Sequence, residues 1–222
     1  MKQVLLSGAV ALFAFGTVSA QRIEPVEPDA TDALGALQAS GYELFHFDLS
    51  SLKDKTYAIQ IYMNEVDSSG TKEKARFHMG ETRRFLKDIP EEDRAHVTPI
   101  DPESGLFRLV SGMGLYVIPK NDSTVRVNCT LGKDHGSTMS LKLRPLKTDA
   151  EQYMYTSRPF KLDEFESGTD IPLILYGSFW YDEKFKINRF CGDTEIDPDM
   201  STEILKNIPH YYIVGIRLTE TD

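Results

Sequence analysis

Tryptophan and cysteine are nearly missing from the 222 residues: Trp180 stands alone, and Cys129 and Cys191 are the two cysteines. Two thiols are too few for a disulfide-dense scaffold or a four-Cys zinc ribbon, and no Cys-x-x-Cys pair offers a redox site. Gly-x-Ser-x-Gly, His-Glu-x-x-His and a Walker loop are missing too. That removes the commonest serine-hydrolase, zinc-protease and nucleotide-binding signatures. His46, His78, His96, His135 and His210 are scattered, without metal-ligand spacing. Positive charge is also short: 25 Lys and Arg face 34 Asp and Glu, a net charge of −9. Nucleic acids and anionic membranes both require a basic face, so the balance argues against either as a partner.

One long apolar run is present, VLLSGAVALFAF at residues 4–15. Its length of about 12 suits the core of a signal peptide and falls short of the roughly 20 that span a bilayer. Lys2 precedes it, and VSA at residues 18–20 puts small side chains at a cleavage position. We therefore expect residues 1–20 to be a signal peptide cut after Ala20. The remainder is then periplasmic or secreted, with no membrane span. An oxidising compartment permits a Cys129–Cys191 disulfide. It would close a loop of about 60 residues and add roughly 4 kcal/mol on the chain-entropy model. The alternative is two separate buried thiols.

The remaining signals are those of strands. Val125, Val127, Cys129 and Leu131 alternate with Arg126, Asn128 and Thr130, and Met139, Leu141 and Leu143 alternate with Ser140, Lys142 and Arg144. A strand turns successive side chains to opposite faces, so one face of this hairpin meets a core and the other meets water. Residues 106–110 and 115–118 extend it into a meander. Residues 56–66 and 74–79 make a second hairpin around the turn at 67–70. Residues 42–49, 152–162, 171–181 and 210–218 are further strands. Those at 171–181 and 210–218 are apolar on both sides, hence covered on both faces. Residues 21–40 are an extended lead-in with a short helix at 32–39, stopped by Gly41. Residues 81–103 form a surface excursion with one helical turn at 82–87, and Ser201 caps a second short helix. The expected architecture is a mostly β, antiparallel β-sandwich with one or two short helices, occupying 41–222 as a single domain.

GYELFHFDL at residues 41–49, followed by Tyr57, and IPHYYIVGI at 208–216 resemble an uncharacterised family of exported β-rich proteins from gut-type Gram-negative anaerobes. The resemblance implies export. It carries no activity and no functional residue.

Three constellations offer chemistry. Asp193, Glu195, Asp197 and Asp199 set four carboxylates at alternate positions. Ca²⁺ is the cation such oxygens would take, although Pro198 and Ile204 break the EF-hand pattern. No other cofactor is signalled. Phe179, Trp180 and Tyr181, with Tyr153 and Tyr155, offer an aromatic platform for a sugar ring or a peptide, with Trp180, Tyr181 and Tyr155 as the expected ligand contacts, against the alternative of ordinary core packing. Asp134, His135 and Ser137 crowd a turn, where Asp and Gly serve the backbone. The resulting expectation is a non-enzymatic binding or structural module whose partner is a glycan or a protein. The alternatives are a secreted carbohydrate-active enzyme, with Asp182 or Glu183 paired to Glu195 or Asp197, and a small-molecule or metal carrier.

Overall fold

The computed structural model describes residues 25–132, 134–144, 154–162, 164–190 and 192–221. The expected signal peptide lies outside the described residues. Helix α1 (Ala30–Ala39) starts two residues earlier than the sequence pattern placed it, because Asp29 is the cap. The Asp29 carboxylate accepts from the Thr31 and Asp32 N–H groups, and Asp32 accepts from the Asp29 N–H in return. The helix ends at Gly41. Gly41 N–H donates to Gln38 C=O at 2.9 Å and Tyr42 N–H to Leu37 C=O at 3.0 Å. Gly41 sits at φ +82°, a left-handed cap that glycine adopts without strain. This cap turns the chain into β1 (Glu43–Asp48).

Strands β2 (Tyr57–Asp67) and β3 (Gly70–Glu81) form a long hairpin. Its turn is held by the Asp67 carboxylate, which takes the N–H and the hydroxyl of Ser69. Next come β4 (Arg83–Phe85), a 3₁₀ turn at Leu86–Asp88, α2 (Glu91–Arg94) and β5 (Leu106–Leu109). The helical turn expected at 82–87 is replaced over its first half, because β4 pairs with β5 and the 3₁₀ turn begins only at Leu86. The meander is β6 (Gly112–Asn121), β7 (Thr124–Leu131) and β8 (Asp134–Lys142). Then follow β9 (Tyr155–Pro159), β10 (Asp170–Ser178), β11 (Trp180–Asp182), β12 (Ile187–Arg189), a 3₁₀ turn at Glu203–Lys206, and β13 (His210–Glu220). Ser201 does not cap that turn: Thr202 occupies the cap position, and its hydroxyl is spent on Asp197.

Two antiparallel sheets stack as a sandwich. One has the order β1-β6-β7-β8 and the other β3-β2-β13-β10-β9. Between them lies a single apolar core. Met113, Leu115 and Val117 join Val125, Val127, Cys129 and Leu131 from the smaller sheet, and Ile59, Ile61, Met63, Val214 and Ile216 oppose them. Val127 and Leu141 are fully buried, as their alternation requires. Each such side chain contributes about 1.5–3 kcal/mol by leaving water. The larger sheet buries its outer face as well. Tyr62, Leu175, Tyr211 and Ile213 pack beneath Phe160, Ile196, Ile204 and Ile208, supplied largely by the polar-looking stretch between β11 and β13. This second layer is why β10 and β13 are apolar on both sides.

Candidate functional site

At one end of the sandwich the inward-facing positions turn polar. On β2 the inward series Ile59, Ile61, Met63 ends in Glu65, and on β13 the series Leu218, Ile216, Val214, Tyr212 ends in His210. Glu65 and His210 are both buried. Glu65 accepts from Lys74 at 3.0 Å, Arg144 at 2.7 Å, His210 Nε2 at 3.0 Å and the Tyr212 hydroxyl at 3.2 Å. Burial opposes its ionisation. The hydrogen bonds from Lys74, His210 and Arg144 outweigh that and push its pKa down to about 2. An ionised carboxylate only accepts, so His210 Nε2 carries the proton facing it. Burial holds the His210 pKa below its ordinary value despite the Glu65 bond, so the ring is neutral at pH 7. Nδ1 is therefore bare, and it accepts the Tyr155 hydroxyl at 2.6 Å. The Tyr155 oxygen in turn accepts the Arg144 N–H at 3.0 Å. Arg144 also pairs with Asp67, whose carboxyl is held well below the usual range by Ser69 and Arg144.

This relay immobilises Tyr155, whose ring stacks on Tyr176 with centroids 5.5 Å apart. Tyr155 forms part of the wall of an open groove of about 690 Å³ between β1, the end of α1 and β9. Ser40, Glu43, Phe45, Met154 and Phe179 line the rest of it. Glu43 crosses from β1 to β9, where its two oxygens accept the Ser157 N–H at 3.1 and 3.2 Å. Burial raises the Glu43 pKa against the bonds from Ser157 and Thr156. Phe179 is placed by its N–H donating to Met154 C=O at 2.9 Å and by stacking on Phe190. Tyr155, Glu43 and Phe179 are thus held by protein partners before any ligand arrives, which lowers the ordering cost of binding.

The family model described as "Domain of unknown function (DUF5041)" matches residues 12–220. The chain belongs to this family. Neither a curated protein nor a solved structure matches it. Within this DUF5041 domain the expected aromatic platform is divided. Tyr155 lines the groove, whereas Trp180 and Tyr181 lie on β11, with Trp180 half-buried on the outer layer against Phe190 at 6.3 Å. The aromatic neighbour of Tyr155 in the groove is Phe179, the one non-strand residue between β10 and β11, and Tyr153 lies outside the described residues.

Asp193, Glu195 and Asp197 do border one cleft of about 620 Å³, and Asp199 stands outside its lining. Asp197 is already held by Lys161 at 2.5 Å and by the Thr202 hydroxyl at 3.1 Å. Asp199 takes the Ser201 N–H. Among the described residues no three His, Cys, Asp or Glu side chains converge as metal ligands. Asp182 is tied to Arg189 at 3.0 Å. Cys129 is a buried free thiol whose pKa burial pushes up to about 12, and Cys191 lies outside the described residues. The side chains of Asp134 and His135 also lie outside them; Ser137 is half-buried on β8. The residues that matter most here, Glu65 and His210, carry one available sequence signal: a titratable group at an inward position of an otherwise apolar strand.

Proposed function

We propose that this DUF5041 chain is an exported binding module, periplasmic or secreted, whose ligand lies in the groove between β1 and β9. The observation that carries this reading is the preset wall of that groove: Tyr155 is clamped by His210, Arg144 and Tyr176, and Phe179 is clamped by Phe190. A rigid aromatic face beside Glu43 and Thr156 suits a ligand with a flat apolar side and hydrogen-bonding edges. Two of the four carboxylates suggested for glycoside hydrolysis are paired with a cation, Asp182 with Arg189 and Asp197 with Lys161, which favours binding over catalysis by those two. The test is a combined glycan and peptide array probed with the full chain and with Phe179→Ala and Trp180→Ala. The expected result is a ligand whose affinity falls at least tenfold in Phe179→Ala and is unchanged in Trp180→Ala. Equal binding by all three forms, or an empty array, would overturn the proposal.

A further inference from the structure

Four strands end the two sheets: β1, β8, β3 and β9. An edge strand exposes unpaired N–H and C=O groups, and folded proteins blunt such edges with lysines, prolines, bulges or covering segments. Three of these edges are blunted. β3 carries Lys72, Lys74 and Arg76, and its ladder with β2 skips Met79 and Lys74, so it bulges twice. β8 runs alongside β3, ends in Lys142, and shifts register against β7. β9 holds Pro159, its Ser157 N–H is taken by Glu43, and its Pro159 C=O is taken by Ile196.

β1 has none of these devices. Its sequence ELFHFD contains no Lys, Arg or Pro, and its ladder with β6 runs from Glu43↔Val117 to Asp48↔Gly112 without a shift. The direction of its free groups follows from its neighbours. Leu49 N–H donates to Ser111 C=O, and Gly112 C=O accepts from Gly132 on the far side. Residues 43, 45 and 47 therefore turn their backbone groups toward β6, and 44, 46 and 48 turn theirs outward. Tyr42, in the same phase, donates outward to Leu37 on α1. Leu44 and His46 have no such partner among the described residues, so their N–H and C=O groups point from the free edge of β1. The groove follows the first half of β1. A smaller apolar pocket of about 180 Å³, lined by Phe47, Leu49, Phe165 and Leu173, follows its second half.

The geometry points to β1 as a docking edge: an extended segment of a partner polypeptide adds to it as a strand, hydrogen-bonded to Leu44 and His46. This rests on the groove being the binding site and names its ligand class. Alternate side chains of such a segment face inward, so apolar residues at every second position fit the groove and the smaller pocket. The net charge of −9 favours a segment that is neutral or basic. A second copy of this chain would bring its own α1 to the same edge, whereas a single strand leaves the concave wall formed by α1 and Phe179 unobstructed.

The experiment selects binders for the full chain from a phage-displayed library of random 12-residue peptides, then measures synthetic peptides by titration and by amide exchange. Expected are slowed exchange at Leu44 and His46, at least tenfold weaker binding by His46→Pro, and unchanged binding by His46→Ala. Proline removes only an outward N–H there, so the β1–β6 ladder survives. A peptide N-methylated at alternate residues should lose binding to the wild-type chain in one phase and keep it in the other, which tests the idea even if His46→Pro does not fold. Peptides that need Phe179 yet leave Leu44 and His46 unprotected would overturn strand addition while leaving the groove intact. Protection of β1 that rises with protein concentration and no peptide would assign the edge to a second copy and also overturn it, as would a selection without binders.

Discussion

The two ends of β2 and β13 point side chains into the same interlayer space but do opposite things with it. At one end Ile59, Ile61, Ile216 and Leu218 pack into the apolar core. At the other, Glu65, His210 and Tyr212 make a network with Tyr155, Lys74 and Arg144. Apolar burial is non-directional, so the first end supplies stability with little demand on orientation. The polar end is demanding, because a buried polar group without a partner costs about 1–3 kcal/mol. That requirement fixes the position of Tyr155 and, through it, the wall of the groove.

The largest effect should come from the apolar end. Leu141→Ala should lower stability by about 3–5 kcal/mol in chemical denaturation, since Leu141 is fully buried and the sheets cannot close over the void. A loss below about 1 kcal/mol would mean that the interlayer space is not closely packed.

Next comes the charge at the polar end. The folded pKa of Glu65 is depressed, so its stabilisation is present above the unfolded value near 4.5 and is lost as pH falls toward about 2. The wild-type chain should lose about 3 kcal/mol across that window, and Glu65→Gln should show the loss already at pH 7 with a flatter acid limb. Parallel pH profiles for the two forms would remove Glu65 from the centre of the network.

A smaller effect attaches to His210. Its folded pKa is also depressed, so the unfolded chain binds a proton first and stability declines as pH drops below 6.5. His210→Gln should flatten the profile just below pH 6.5. It should also loosen Tyr155, read as weaker binding of any groove ligand at constant fold. Unchanged binding by that variant would separate the relay from the groove.

The smallest effect is expected on the surface. Lys161→Ala breaks the exposed pair with Asp197 and should cost almost nothing in chemical denaturation, because water screens both groups. A larger cost would give the acidic loop a structural weight that its exposure does not suggest.

Much of this architecture was readable in advance, and the misses share a cause. Residues 124–131 show their strand class in their alternation and 210–218 in a short run apolar on both sides, and Gly41 announces the end of α1 through a local left-handed cap. The helical turn expected at 82–87 failed because β4 finds a partner in β5 more than twenty residues away. Ser201 failed as a cap because the turn begins one residue later, which puts Thr202 at the cap position, and Asp197 claims the Thr202 hydroxyl. Of the expected aromatic platform Phe179 stays in the groove, whereas Trp180 packs on the outer layer, because the strand is interrupted at Phe179 and simple alternation does not carry through it.

The sequence by itself determined the strand-rich class, the two hairpins, the apolar faces and the stop of α1, because periodicity, turn residues and caps act over a few residues. Only the tertiary structure decided that Glu65 meets His210 and Tyr155, that the stretch before β13 covers an outer sheet face, and that β1 keeps a free edge beside a groove. Those outcomes depend on which strands become neighbours and on which polar groups share one dry space, and both are set by contacts between residues far apart in the chain.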